Sequence, residues 1–348
     1  MPLIFNTFNL KINFMQKKWL WSIPVVLIII YLAGPSPEAP KYKTEMPSVP
    51  DDAVQLETFI KNNEAQHKLK PGNEARIIWA NDSLRQKTDY AIVYLHGFSA
   101  SQAEGDPIHK NIAKEFGCNL YLSRLAEHGI DTVDAMINLT ADEYWESAKL
   151  ALAIGKQLGK KVILMSTSTG GTNALQLAAT YPDDNIAALI LLSPNIAIND
   201  PFAWLANNHW GLQIAHAVLG SDYIDSKDLR PVNKQYWYTH YRAEAVANLE
   251  EMLETTMNKE TFQKVKQPVL LLYFYKDETH QDSTVKVSAM LKMYDKLGTP
   301  DSLKRKQAMP NAGTHVIGSY IRSHDVEGVQ KEIEKFMTDV LHLKAVRS

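Results

Sequence analysis

The chain has 348 residues, of which 45% are hydrophobic and 22% are charged, and its formal net charge is −2. This composition is typical of a globular protein with a sizeable core, and the absence of a basic excess excludes nucleic acid as an expected partner. The single cysteine, Cys118, excludes an internal disulfide framework and a cysteine-rich zinc site. Its place after an apolar helical pattern predicts a small core residue.

Residues 1–34 are predicted to be a membrane anchor or an export signal. Lys17 and Lys18 precede an apolar run over residues 19–34, and Trp19 and Tyr31 lie near the ends of that run, where interfacial aromatics belong. No small-residue cleavage motif follows, which favours an uncleaved anchor over a cleaved signal. We therefore expect the folded body outside the cytosol, on the periplasmic or extracellular side, either attached to the membrane or secreted after cleavage.

The remaining chain is predicted to consist of a linker and one folded domain. Residues 35–50 are rich in proline and charge and are expected to form the linker, and residues 51–348 form the domain. In that domain short apolar runs alternate with amphipathic helical stretches, which indicates a mostly parallel sheet with helices on both faces. The predicted strands are 76–80, 91–95, 119–122, 161–165, 188–192, 269–274 and 303–308.

One interval is too long to be a connecting loop. About 75 residues separate the strand ending near Leu192 from the strand beginning near Val269, and they are rich in tryptophan and tyrosine. We predict a helical cap at about residues 196–265, over the edge of the sheet where open α/β sheets bind ligands. Its aromatic side chains suggest an apolar or aromatic ligand group, although they also suit the core of the cap itself.

The segment 162–171 predicts a reactive serine. An apolar strand runs into the small residues Ser166-Thr167-Ser168-Thr169-Gly170, and a helical pattern follows. A side chain at such a turn projects above the sheet, and the helix behind it offers free N–H groups to negative charge. Ser168 is the predicted nucleophile. A serine that simply caps the next helix is the alternative.

An earlier strand ends in a His96-Gly97-Phe98 motif. The glycine lets the backbone bend so that an N–H group faces the nucleophile. We assign a predicted oxyanion hole to the backbone N–H groups of Phe98 and Thr169, where the charge of a tetrahedral intermediate would form. His96 is then structural.

The acid is expected after the strand at 269–274. Asp277 is the predicted acid because it lies a few residues past that apolar run, and Glu278 and Asp282 are adjacent alternatives. Each of these carboxylates could also be a solvated loop charge.

The base is expected after the last strand, and His315 lies there on a small-residue loop before the final helix. His128 and His280 lie in the wrong intervals of the chain. In the predicted mechanism His315 takes the proton of Ser168, while Asp277 fixes the imidazole tautomer.

From about Tyr90 onward the chain resembles serine α/β hydrolases, close to bacterial carboxylesterases and monoacylglycerol lipases. The resemblance rests on the serine turn, on the run H-G-F-S-A-S and on residues 122–129, where Glu127 stands at a position that is usually glycine in this family. It implies an α/β-hydrolase fold, a mostly parallel sheet flanked by helices with a helical cap after strand 6 of that fold. The order Ser168, Asp277, His315 is the order of this fold.

The resemblance further implies cleavage of small-molecule carboxylic esters without cofactor or metal. A serine peptidase of the same fold is one alternative, and it would need an acidic group such as Glu244, Glu250 or Glu251 to bind a substrate amine. A catalytically silent, membrane-tethered binding protein is another. Hydrolysis of thioesters or carbon–carbon bonds is compatible with the same residues.

Overall fold

The computed structural model describes residues 12–346, so the first eleven residues of the predicted N-terminal segment lie outside the described part. The first two helices are α1 (Ile12–Leu32) and α2 (Ala53–Glu64). Within residues 12–346 no helix combines the length and the apolar character needed to cross a membrane.

A seven-stranded sheet forms the centre of the domain, and all seven predicted strands are confirmed with ends shifted by up to three residues. In spatial order the strands are β1 (Arg76–Ile78), β3 (Asn119–Leu122), β2 (Thr88–Leu95), β4 (Gly159–Thr167), β5 (Ile186–Leu192), β8 (Val269–Tyr273) and β9 (Lys304–Ala308). The edge strand β1 pairs antiparallel with β3, and every other pair in this sheet is parallel.

Helices cover both faces of the sheet because its central strands are apolar on both sides. On β4, Val162 and Leu164 pack into one cluster, whereas Ile163 and Met165 pack into the cluster on the opposite face. This is expected of parallel strands buried on both faces. The first cluster includes residues of α4 (Ala141–Leu158), α5 (Thr169–Thr180) and α10 (Val287–Lys296), and the second includes residues of α3 (Ile108–Glu115) and α11 (Val326–Asp339).

Cys118 belongs to the second cluster and is a buried free thiol, as predicted. Burial raises its pKa to about 12, which keeps the thiol protonated and unreactive.

The interval between β5 and β8 is folded, and it contains short strands as well as helices. Its elements are α6 (Gly211–Leu219), β6 (Tyr223–Asp225), α7 (Pro231–Tyr236), β7 (His240–Arg242), α8 (Glu244–Thr256) and α9 (Lys259–Lys264). Strands β6 and β7 pair antiparallel in a separate two-stranded sheet. We call this interval, residues 196–265, the insertion.

Residues 35–50, which we call the strap, form neither helix nor strand and are hydrogen-bonded to the domain. Backbone carbonyls of Lys43 and Glu45 accept hydrogen bonds from Trp145 Nε1 and Lys149 Nζ, each at 2.8 Å. The Lys149 side chain is buried, so its ammonium group depends on this carbonyl and on one ion pair with Glu146. The proline-rich and charged composition that suggested a linker does not indicate these hydrogen bonds, because their acceptors are backbone carbonyls, which every residue has.

Candidate active site

Ser168 lies at a sharp turn between β4 and α5, as the sequence predicts. Its backbone has φ 52° and ψ −123°, a conformation that non-glycine residues rarely adopt. The backbone N–H of Ser168 donates to Leu192 O at 3.0 Å, which ties the turn to the neighbouring strand β5. Strain of this kind persists only where the surrounding structure enforces it.

Close backbone packing explains the small residues around Ser168. A side chain at Gly170 would place its Cβ 2.0 Å from Leu95 O, a distance that no side chain can accept. Two residues before the nucleophile, Ser166 Oγ donates to Ile190 O at 3.3 Å, so this buried hydroxyl is satisfied within the sheet.

The loop after β2 holds one peptide group in a fixed orientation. His96 Nε2 accepts from Leu125 N at 3.1 Å, so the proton of the neutral ring is on Nδ1, which donates to Gly97 O at 2.9 Å. The Gly97 carbonyl and the Phe98 N–H belong to the same peptide group and point in opposite directions. Within the described residues neither Phe98 N nor Thr169 N has a hydrogen-bond acceptor.

His128 supports the same loop from the other side. Its Nε2 accepts from Ser99 N at 2.9 Å, and its Nδ1 donates to Ala126 O at 2.7 Å. The His96 and His128 rings contact each other with centroids 4.9 Å apart. Burial lowers the pKa of His96 to about 4 and the pKa of His128 well below its ordinary value, so both rings are neutral. Both histidines have a structural place in the loop.

His315 is hydrogen-bonded to Asp282 and not to the predicted Asp277. The distance from His315 Nδ1 to Asp282 Oδ2 is 2.6 Å, and the carboxylate of Asp282 is fully buried. Asp277 is exposed, and its side chain accepts hydrogen bonds from Thr279 and from His280 within its own loop. The prediction of Asp277 as the partner of His315 was wrong, and Asp282, the adjacent alternative, takes its place.

The path of the loop after β8 explains this difference. The chain leaves the sheet at Tyr275 and returns at Gln281, and these two residues form an antiparallel bridge. Asp282 N then donates to Phe274 O at 3.1 Å, so Asp282 lies beside the end of the strand although it is nine residues beyond Tyr273 in the chain. The Asp282 Oδ1 atom accepts from two backbone N–H groups, at 2.9 and 3.1 Å, which fixes its orientation.

The environment of His315 favours its protonated form. Burial lowers the pKa of His315, but the charge of Asp282 and the hydrogen bond to it raise the pKa, and the net direction is upward. The Nε2 atom of His315 is buried and has no hydrogen-bond partner among the described residues.

Ser168 and His315 line one cavity of about 640 Å³. The main domain and the insertion both contribute to its wall. The insertion provides an apolar surface that includes Tyr241, Val246 and Leu249. A cavity of this size suits a small-molecule ligand.

A second part of the cavity wall is polar, and sequence reasoning missed it. Glu104, Asn233, Trp237 and Arg322 lie there. Arg322 stacks on Trp237 with its guanidinium carbon 4.5 Å from the ring centroid, and it donates to Asn233 Oδ1. These residues come from three distant segments, and no motif in the sequence connects them.

Neither a protein-family model nor a curated protein sequence matches the chain. Solved structures do match it. One, described with the metagenome-derived lipolytic enzymes LipS and LipT, has a TM-score of 0.62 at 18% identity, and the match covers 78% of this chain and 99% of that one. The chain has the α/β-hydrolase fold.

Two further α/β-hydrolase structures show the same similarity. The monoacylglycerol lipase of Paleococcus ferrophilus has a TM-score of 0.55 at 14% identity, with 76% of this chain and 98% of that chain covered. Est1E from Butyrivibrio proteoclasticus, solved with ferulic acid, has a TM-score of 0.52 at 18% identity, with 77% and 95% covered. At these identities the similarity establishes the fold, and activity must be argued from the site.

Proposed function

We propose that this protein is a serine hydrolase that cleaves carboxylic esters, with Ser168 as nucleophile, His315 as general base and Asp282 as the acid that orients the base. One observation carries the proposal. His315 is bound through Nδ1 to a buried carboxylate, while its free Nε2 and Ser168 lie on the same cavity. That arrangement is the one a serine hydroxyl needs for activation.

The reaction follows from these roles. His315 Nε2 accepts the proton of Ser168 Oγ as the oxygen attacks the ester carbonyl carbon, and the resulting imidazolium is stabilised by Asp282. The C–O bond of the ester breaks when His315 returns this proton to the leaving alcohol. Water then attacks the acyl-serine with His315 again as base, which releases the carboxylic acid and restores Ser168.

The negative oxygen of each tetrahedral intermediate is proposed to lie between Phe98 N–H and Thr169 N–H. Both groups lack an acceptor in the described residues, and Thr169 is the first residue of α5. A helix N-terminus carries a partial positive charge, which adds to the effect of the two donors. Loss of one such donor slows comparable reactions by about 10²-fold to 10³-fold.

We also propose that the insertion acts as a cap that shapes the substrate site. Its aromatic and aliphatic side chains Tyr241, Val246 and Leu249 line the cavity. This surface supports an ester with an apolar acyl chain or an aromatic group, because burying apolar substrate area is favourable.

Labelling with a fluorophosphonate tests the nucleophile. We would compare the full-length wild type with Ser168→Ala and with the matched variant Ser166→Ala, which removes a nearby buried hydroxyl. Loss of labelling in Ser168→Ala alone supports the proposal. A folded wild type that neither labels nor cleaves any activated ester would overturn it in favour of a catalytically silent binding protein.

The peptidase alternative lacks the acidic groups considered for it. Glu244 is paired with Arg242, Glu251 accepts from Asn207, and neither these two nor Glu250 lines the cavity. An amine-binding role for these three glutamates is therefore not supported by their positions.

We propose that the protein is attached to a membrane through its N-terminal segment, with the catalytic domain outside the cytosol, or that it is secreted after cleavage of this segment. The apolar side chains of residues 25–30 of α1 support attachment, since all six are more than half exposed. Fractionation of cells after a high-salt wash tests it, and full recovery in the cytosolic fraction would contradict both forms.

A further inference from the structure

A second carboxylate, that of Glu104, lies at the active site. Glu104 belongs to the 3-10 helix Gln102–Gly105 and is 2% exposed. Its Oε2 accepts a hydrogen bond of 2.6 Å from Gly97 N, and it lines the same cavity as Ser168 and His315. A Cβ atom at Gly97 would lie 2.8 Å from both Glu104 Oε2 and Ser168 Cβ, so this carboxylate is close to the nucleophile.

We propose that Glu104 is a positioning residue with two effects: it holds Gly97 so that Phe98 N–H faces the tetrahedral oxygen, and its charge joins that of Asp282 in stabilising protonated His315. This inference rests on the proposed ester hydrolysis by Ser168.

The first effect follows from the hydrogen bonds of the loop. Gly97 N–H is held by Glu104, and Gly97 C=O is held by His96 Nδ1–H. Both peptide groups flanking this glycine are therefore fixed, although glycine itself has wide conformational freedom. Phe98 lines the cavity, and its N–H has no acceptor among the described residues. Preorganised donors are effective because they need no rearrangement during the reaction.

The second effect follows from burial and charge. Among the described residues Glu104 has no ion-pair partner within 4 Å, so its charge is not cancelled by a direct contact. The charged or titratable groups that interact with it are His315, Arg322, Tyr94 and Tyr144. His315 itself interacts with Asp282, Glu104 and Arg322. Charges in a buried environment of lower dielectric interact more strongly than they do in water.

Burial is the largest influence on the pKa of Glu104, and the net direction is upward. The Gly97 N–H, the charges of His315 and Arg322, and the Trp237 side chain oppose this rise and favour the carboxylate form. Arg322 is itself oriented by stacking on Trp237. The polar part of the cavity wall thus surrounds the carboxylate with groups that favour its anion.

Two substitutions separate the two effects. Glu104→Gln keeps an oxygen that can accept from Gly97 N–H but removes the charge. Glu104→Asp keeps the charge but is one methylene shorter, so it withdraws from Gly97. Glu260→Gln is the matched control, because Glu260 is an exposed glutamate of α9 whose side chain pairs with Lys264. For each full-length variant we would measure kcat and KM for an activated ester between pH 5 and 9.

For Glu104→Gln we expect the acidic limb of kcat/KM to move to lower pH by roughly half a unit, because removing an anion lowers the pKa of His315. For Glu104→Asp we expect the acidic limb to stay in place. We expect kcat to fall about 10-fold, because the Phe98 N–H is displaced from the tetrahedral oxygen. KM is expected to change little in both. A role in folding alone would lower the amount of active protein without moving the limb.

Each arm can contradict the inference. An acidic limb in Glu104→Gln that coincides with that of Glu260→Gln rules out the charge effect. A kcat in Glu104→Asp equal to that of wild type rules out the positioning effect, and this arm remains informative if Glu104→Gln does not fold. A wild type that fails to label with fluorophosphonate instead contradicts the proposed function, so the two failures are distinguishable.

Discussion

His315 Nδ1 lies 2.6 Å from Asp282 Oδ2, and this contact joins the loop after the last strand to a loop that leaves the sheet and returns to it. The Asp282 carboxylate is fully buried, and the His315 side chain is 11% exposed. The pair therefore fixes the orientation of the imidazole ring, and the ring edge that carries Nε2 is the one available to the cavity.

Replacement of Asp282 by asparagine is expected to lower kcat by about 10³-fold to 10⁴-fold, because the amide no longer fixes the tautomer or stabilises the imidazolium. Asp277→Asn is the matched control and is expected to change kcat less than about 3-fold, since Asp277 bonds only within its exposed loop. Steady-state kinetics with one activated ester measure both. Comparable losses in the two variants would contradict the assignment of Asp282.

The pH dependence of the reaction should reflect the raised pKa of His315. The base must be neutral to act, so kcat/KM is expected to fall as the pH drops through this pKa, with a midpoint above the ordinary histidine value of 6.5. Asp282 raises the pKa through its charge and hydrogen bond, so the residual activity of Asp282→Asn should show a lower midpoint. A midpoint that is unchanged by this substitution would contradict the electrostatic role of Asp282.

The buried histidines of the loop should stay neutral in mildly acid solution. Burial lowers the pKa of His96 to about 4, and each ring accepts one backbone N–H through Nε2, which a protonated ring cannot do. We expect both rings to be Nδ1–H tautomers from pH 8 to about 5.5. Nitrogen chemical shifts of the histidine rings measure this directly, and protonation of either ring between pH 6 and 7 would disagree with these contacts.

Much of the fold could be predicted because its signals are local. The strand β4, the turn at Ser168 and the helix α5 follow from one continuous pattern of apolar and small residues, and β2 and its His96-Gly97 ending follow in the same way. Burial on both faces produces the apolar runs, and tight backbone contact at Gly170 requires the small residues.

The remaining features depend on contacts between distant segments. No sequence pattern near Asp282 indicates that the chain returns to the end of the strand at Phe274. Asp277 was therefore favoured, because it is closer to that strand along the chain. Likewise, no local pattern places Glu104 against Gly97, because the contact depends on how a 3-10 helix packs on the loop. The strap was predicted to be a linker from its proline and charge content, and composition cannot show which of its backbone carbonyls accept hydrogen bonds from the domain.

The strained backbone at Ser168 should be visible as a stability difference. At φ 52° and ψ −123° a Cβ atom is unfavourable, so Ser168→Gly is expected to be more stable than Ser168→Ala by about 1 kcal/mol. Thermal unfolding of the two inactive variants measures it. A more stable alanine variant would show that the surroundings do not impose this conformation.

The apolar surface of the insertion should set the preferred length of the acyl chain. Val246 of α8 lines the cavity, and Val246→Trp would fill part of it. We expect kcat/KM for nitrophenyl esters of eight or more carbons to fall about 10-fold or more, with little change for acetate. The control is Val218→Trp, since Val218 is 81% exposed and is not part of the cavity wall.

A preference for acetate that both valine variants leave intact would contradict the apolar acyl site. If wild type prefers long acyl chains and Val246→Trp keeps this preference, the acyl chain binds at another part of the cavity wall.

The strap defines where an independently stable catalytic unit can begin. A version starting at Met46 would remove the carbonyls of Lys43 and Glu45, and with them a partner of the Trp145 indole and of the buried Lys149 ammonium. It would also remove Tyr42, whose hydroxyl contacts Thr255 of α8 at 2.7 Å. Since α8 belongs to the insertion that lines the cavity, shortening the chain at this end would loosen the substrate site from a distance, and the minimal unit includes Tyr42.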